Sequence, residues 1–307
     1  TVEYDGQTYK VEAGKTATLP TGDVVEATVV GTVKKVADST KDNNKVTTVV
    51  IKNAAGEDTK GQYKTIPIIP GTLTITKRGA GEEKVKITAA DNTVEYDGQP
   101  HGAKLNAANQ IEVGTSFTVT NLAEGHSVKT LAIDGSETDA GVYADKLVPG
   151  NAVIVDGNGV EVTANYDITY VPGTLTITKR GAGEEKVKIT AADNTVGYDG
   201  SAHGAKLNAK GEIELGTSYT TARLVDGHYV DETTLDITGS QTSVGVYENE
   251  LKPAVKAGAT EIVIRDAKGN DVTDNYALTL VPATLTITGD KLIPDKKAED
   301  ENIESNY

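Results

Sequence analysis

Cysteine, methionine and tryptophan are absent from the 307 residues, and phenylalanine occurs once, at Phe117. Without cysteine there is no disulfide framework, no thiolate metal site and no cysteine nucleophile. With so few large aromatics, Val, Ile, Leu and the thirteen Tyr have to fill any core. No apolar run approaches the roughly 20 residues of a membrane-spanning helix. None opens the chain as a secretion leader, so an exported protein of this kind is expected to be longer than this segment. Positive charge is also short: 30 Lys and Arg stand against 45 Asp and Glu, a formal net charge of −15. Phosphate backbones and anionic lipids need clustered cations, so neither nucleic acid binding nor membrane insertion is expected. No D-x-[DN]-x-[DN]-G string marks a calcium loop, and no cofactor is expected.

What the chain does have is repetition. PGTLTITKRGAGEEKVKITAADNTV occupies residues 70–94 and recurs unchanged at 172–196, with a partial copy, PATLTIT, at 282–288. TLTIT and VKIT alternate apolar and polar residues as half-buried strands do, and KRGAGEEK between them is polar. Each copy therefore reads as last strand, joint, first strand. The spacing divides the chain into a short repeat at 1–76, repeats at 77–178 and 179–288, and a charged tail at 289–307.

Residues 1–76 open directly on EYDG, with no counterpart of VKITAADN before it, and should lack the first strand of the other two. Truncation, a naturally narrower repeat, or filling of the gap by apolar residues 291–293 of the tail would each account for this. Truncation is the favoured explanation. Alternating stretches follow at 24–30 and 45–52. The second repeat carries EYDGQPHG, SFTVTNL, AEGHS, a strand near 128–133, DAGVY, and a hairpin at 152–163 turning on Asp-Gly-Asn-Gly. The third repeats this order, and its extra residues should fall in loops, since a slip inside a strand would invert its faces. Seven or so short strands per repeat, with no helical periodicity of convincing length, predict an all-β chain of tandem antiparallel β-sandwich domains in an elongated array.

Two further sets of residues recur. His101 and His203 follow YDG, and His126 and His228 follow Glu-Gly or Asp-Gly. Equivalent histidines lie a whole repeat apart, too far to share a metal, and Tyr9 takes the first position in residues 1–76. A turn or packing role is expected for them. Tyr4, Tyr96 and Tyr198 precede Asp-Gly, while Tyr63, Tyr166 and Tyr276 precede the last strand. In so aromatic-poor a chain they should serve the core, with hydroxyls tied to turns. No G-x-S-x-G is present, no Asp/His/Ser set recurs, and KRGAGEEK lacks the ending of a phosphate loop, so catalysis is not expected.

The order Y-D-G, G-H, G-V-Y, D-x-x-G-x-x-V-T-x-N-Y, G-T-L-T-I-T-K-R resembles the MBG/YDG-type repeats of bacterial surface proteins. These are immunoglobulin-like modules of long adhesins, chiefly of Gram-positive gut and oral bacteria. The resemblance spans the second and third repeats and the two ends of the first. GAGEE is a departure, since such repeats usually run straight into the next strand. The resemblance implies an extracellular, cell-surface location and a mechanical stalk, a monomeric rod attached to the cell wall through regions outside this segment. The alternative is a module that itself binds host glycan or surface protein, with Tyr96, Tyr198, His101 and His203 as candidate ligand-binding residues. Surface modules of this sort also carry Lys–Asn isopeptide bonds, for which Lys84 or Lys86 with Asn165 are candidates. No acid is marked out beside them, and the alternation puts both lysines on the polar face. Gly81 and Gly183 are expected to make the joints flexible.

Overall fold

The computed structural model describes residues 1–289, and these are all-β: short strands and 3-10 turns, with no α-helix among the described residues. The tail segment 291–293 lies outside the described residues. The chain divides into two compact units. One comprises residues 1–93, 100–137 and 142–176; the other comprises 94–99, 138–141 and the residues from 177. The chain thus changes unit four times inside the second repeat and once close to its end, at 176/177.

In the first unit, Tyr9–Thr18, Val24–Val33 and Lys45–Lys52 form an antiparallel three-stranded sheet. Val2–Glu3 pairs in parallel with Ile75–Thr76. Beyond the joint, Val85–Ala89 lies between Ile168–Val171, parallel to it, and Phe117–Thr120, antiparallel to it. Its alternation holds: Val85, Ile87 and Ala89 are buried while Lys86 is exposed. Tyr4, Val33 and Ile75 share one apolar cluster with Val85, Ala123, Ile154 and Tyr166, so the core continues across the joint at 77.

The second unit repeats this plan. Val187–Ala191 lies between Leu278–Val281, parallel, and Tyr219–Ala222, antiparallel. Asn194–Gly197 runs parallel to Ala283–Thr288, which is followed by Gly245–Val255 and then Leu235–Thr238, both antiparallel. In residues 77–178 the strands Asn92–Glu95, Gly173–Thr178, Gly141–Val155 and Ser127–Asp134 take the same order.

The sheets are therefore mixed, which a purely antiparallel sandwich is not. A repeat whose chain comes in at one end and leaves at the other must run its first and last strands in the same direction. The two stretches read as DAGVY and the first arm of a hairpin are one strand, Gly141–Val155. It passes Pro149 by shifting register between Gly150 and Val153, the kind of bulge that tolerates proline in a sheet. The two residues added in the third repeat between Gly-His and Gly-Val-Tyr fall in the turn at 231–234. That turn splits the counterpart of Ser127–Asp134 into Tyr229–Val230 and Leu235–Thr238.

Candidate functional site

The feature built twice in this chain is the joint between consecutive repeats. At the first joint the strand Ile75–Thr76 ends, Arg78 bridges to Tyr166, and Gly79 turns the chain at φ +88°. A Cβ on Gly79 would stand 2.5 Å from the Asp167 carbonyl and 2.8 Å from the Val85 nitrogen, so only glycine fits. The Gly79 N–H, left without a ladder partner, donates to Glu3 Oε1 at 2.9 Å. Arg78 spreads its donors: Nε to the Asn121 carbonyl at 2.7 Å, Nη2 to Asn121 Oδ1 at 2.8 Å, and Nη1 to the Tyr4 carbonyl at 3.3 Å.

Tyr4 is the centre of this joint. Its ring is 3% exposed, stands edge-on to Tyr166 at 5.5 Å between centroids, and lies 5.9 Å from the His126 ring. Burial first, then the Asp156 charge, raises its pKa, and its hydrogen bond to the Asn165 side chain opposes them. The Tyr166 hydroxyl accepts the Ala123 N–H at 3.2 Å and lies 2.7 Å from His126 Nδ1. That hydroxyl and Nδ1 share one proton between them, so the imidazole is hydrogen-bonded at Nδ1 in either tautomer. Burial pushes the Tyr166 phenol up to about 12 and pulls the His126 pKa below its ordinary value. Gly6, at φ +82°, passes so close that a Cβ would stand 2.9 Å from His126 Nε2. Asn165 Oδ1 accepts the Val36 N–H at 2.9 Å and ties in the 3-10 turn Val36–Asp38.

The second joint reproduces this inside the other unit. Tyr96 is 2% exposed, edge-on to Tyr276 at 5.6 Å and 6.2 Å from His228. The Tyr276 hydroxyl accepts the Val225 N–H at 3.2 Å and meets His228 Nδ1 at 2.8 Å. Gly181 N–H donates to Glu95 Oε1 at 3.0 Å, and Arg180 donates to the Arg223 and Tyr96 carbonyls. Asn275 accepts the Ala140 N–H and donates to Asp139 Oδ1 at 2.9 Å. Arg223 adds an ion pair to Glu95 Oε2 at 2.9 Å and another to Glu185 Oε2 at 3.1 Å. Burial alone would raise the Glu95 pKa, but the Gly181 N–H and the Arg223 and Arg180 charges hold it below the usual carboxylate value.

Of the candidate ligand-binding residues, Tyr96 is sealed in the second joint, whereas Tyr198 is 37% exposed. His203 Nε2 meets Asp199 Oδ1 at 2.9 Å, and the Tyr9 hydroxyl donates to Asp5 Oδ2 at 2.7 Å. A ring four residues beyond the aspartate thus braces the Tyr-Asp-Gly turn in either chemistry, as the replacement of His by Tyr9 suggested. His101 pairs through its backbone with Glu137. The candidate isopeptide residues are not brought together. Lys84 is exposed with Nζ 3.5 Å from the Ala80 carbonyl, and Lys86 is exposed on its strand. Asn165 is buried with both side-chain atoms engaged at the joint.

Sequence reasoning passed over Glu3, Glu95, Arg78 and Arg180 because charged residues beside a polar joint read as solvated. The available signal was their fixed position next to Tyr-Asp-Gly and after TLTIT. The constraint at the joint falls on a different pair of glycines from the two expected to give flexibility. Gly81 and Gly183 would meet nothing if given a Cβ, while Gly79 and Gly181 are the constrained pair. No family model, no curated protein and no solved structure matches the chain.

Proposed function

We propose that this chain is a non-catalytic, mechanical spacer of a bacterial cell-surface adhesin, holding a binding head away from the wall. Its modules are the repeats at 1–76, 77–178 and 179–288, arranged as immunoglobulin-like sandwiches in an elongated, monomeric array. The observation that carries this reading is the recurrence of one joint, built twice from Tyr, His, Tyr, Asn, Arg and Gly in equivalent places. A catalytic or ligand site has no need to recur at a repeat border, whereas a spacer needs each border to carry load. The parallel pairing of Asn194–Gly197 with Ala283–Thr288 supports it, because such a repeat passes the chain from one end to the other. Small-angle scattering of the intact chain should give the profile of a rod. A compact globule would contradict the spacer.

The adhesive alternative has one observation in its favour. A groove of about 390 Å³ in the third repeat is lined by Leu215, Tyr219 and Tyr229, and the Tyr229 ring is 45% exposed. The second repeat carries a groove of about 360 Å³ at the corresponding place, lined by Val113, Phe117 and Val128. Titrating the chain with host-type oligosaccharides should then shift the Tyr229 ring signals. A spacer leaves them unmoved.

A further inference from the structure

The three Tyr-Asp-Gly turns are not equivalent, and one residue separates them. The second and third are preceded by the identical string VKITAADNTV, after which the sequences part: Glu95 in one, Gly197 in the other. Glu3 stands at this position in the first. Both glutamates accept the N–H of the glycine that turns the chain three residues past the last strand of their own repeat, Gly79 after Thr76 and Gly181 after Thr178. At the third repeat Lys291 stands three residues past Thr288, and Asp290 replaces the arginine of Arg78 and Arg180. The carboxylate and its glycine are therefore lost together.

The rest of the clamp changes with them. Asp139 and Ala140, which engage Asn275, become Ser243 and Val244 in the third repeat. Tyr198 stays 37% exposed where Tyr4 and Tyr96 are 3% and 2% exposed. Gly200 keeps its left-handed φ of +86° with no neighbour within 4 Å of a Cβ, whereas the Cβ of Gly6 would meet a histidine.

We propose that the residue preceding Tyr-Asp-Gly sets the state of each joint. Glu3 and Glu95 are positioning residues that close the two joints, and Gly197 supplies no such carboxylate. The partner of a clamped face is the Arg-Gly corner of a following repeat, and its recognition is by carboxylate acceptance of the glycine N–H. This deepens the spacer reading by naming what holds its joints closed, but its test does not depend on a surface location.

The test is amide exchange in the intact chain, read at Gly181 with Gly79 as internal reference. Glu95→Ala should speed exchange at Gly181 by about tenfold or more, the scale of a lost charge-assisted hydrogen bond, and leave Gly79 unchanged. Glu95→Gln, which keeps a carbonyl acceptor at the same reach, should stay within about threefold of the parent. Tyr96 should also become open to nitration in Glu95→Ala, as the 37% exposed Tyr198 should be in the parent chain. Exchange at Gly181 within twofold of the parent in Glu95→Ala would overturn the proposal, as would Glu95→Gln exchanging as fast as Glu95→Ala. Loss of Gly79 protection as well would mark general unfolding and also count against it. A globular scattering profile with the Gly181 effect intact would sink the spacer and leave the clamp standing.

Discussion

The first joint and the second share their rings and their Arg-Gly turn, and they contrast most in charge at one left-handed corner, where Asn121 stands in one and Arg223 in the other, both at φ +62°. Asn121 is a neutral bridge: its Oδ1 accepts from Arg78, and its Nδ2 donates to the Glu83 carbonyl at 2.8 Å. Arg223 donates to the Glu185 carbonyl in the same way, but its charge also reaches Glu95 and the Glu185 carboxylate. The apolar part, two tyrosines and a histidine, is the same in both. The difference teaches that ring packing defines the joint, and that the polar rim can be neutral or ionic without altering it.

The largest effect should come from removing the central ring. Tyr4→Ala and Tyr96→Ala should each cost about 3–5 kcal/mol by chemical denaturation, as loss of a buried aromatic does. Tyr198→Ala should cost clearly less, since Tyr198 is already 37% exposed. Equal losses at Tyr96 and Tyr198 would erase the distinction between the buried ring and the exposed one.

Next in size is the tyrosine that receives the turn. Tyr166→Phe and Tyr276→Phe each strand a backbone N–H and a histidine Nδ1, a loss of about 1–3 kcal/mol. If both cost the same in urea, the shared part of the joints is confirmed as energetically equivalent. A loss confined to one would break the parallel.

Acidification should then weaken both joints through their histidines. Burial, countered by Asp156 or Asp266 and reinforced by Arg78 or Arg180, lowers the pKa of His126 and His228 below 6.5. The folded chain binds these protons less readily than the unfolded one. Stability is therefore complete above about pH 6.5 and falls as pH drops through the folded values. Glu95 has its pKa lowered from 4.5, so its contribution is present above that value and is lost as pH falls through the lowered one. Gly79 and Gly181 amide protection followed against pH should decline together in the first window. Gly181 protection should also decline through the second window, as Glu95 is protonated.

The smallest change is at the ionic rim. Arg223→Asn should cost about 0.5–1 kcal/mol and remove most of the salt dependence of the second joint. A salt dependence that persists would place the charge effect elsewhere.

The strands were largely legible because a period of two survives wherever one face is buried. Lys45–Lys52 and the alternation of Val85–Ala89 follow directly from it. The identical TLTIT strings show where such reading stops. The second copy forms the six-residue strand Gly173–Thr178, while the first yields only Ile75–Thr76, because its one neighbour is the two-residue Val2–Glu3. Strand length belongs to the partner as much as to the string. Tyr166 and Tyr276 were legible as buried rings with tethered hydroxyls, since an aromatic-poor chain has little else to bury. The carboxylate clamp was not. Its two halves, Glu3 with Gly79 and Glu95 with Gly181, are 76 and 86 residues apart, and nothing in periodicity pairs residues at that distance.

The parallel pairing inside the third repeat has a mechanical consequence. Val187–Ala191 and Leu278–Val281, like Asn194–Gly197 and Ala283–Thr288, run side by side in the same direction. A pull on the chain before Val187 and after Thr288 drags the members of each pair in opposite senses along their shared axis. The hydrogen bonds of each ladder are then sheared together and cannot be peeled apart one by one. Rupture under tension depends on the unfolding rate, so a repeat loaded in this geometry can resist force out of proportion to its equilibrium stability.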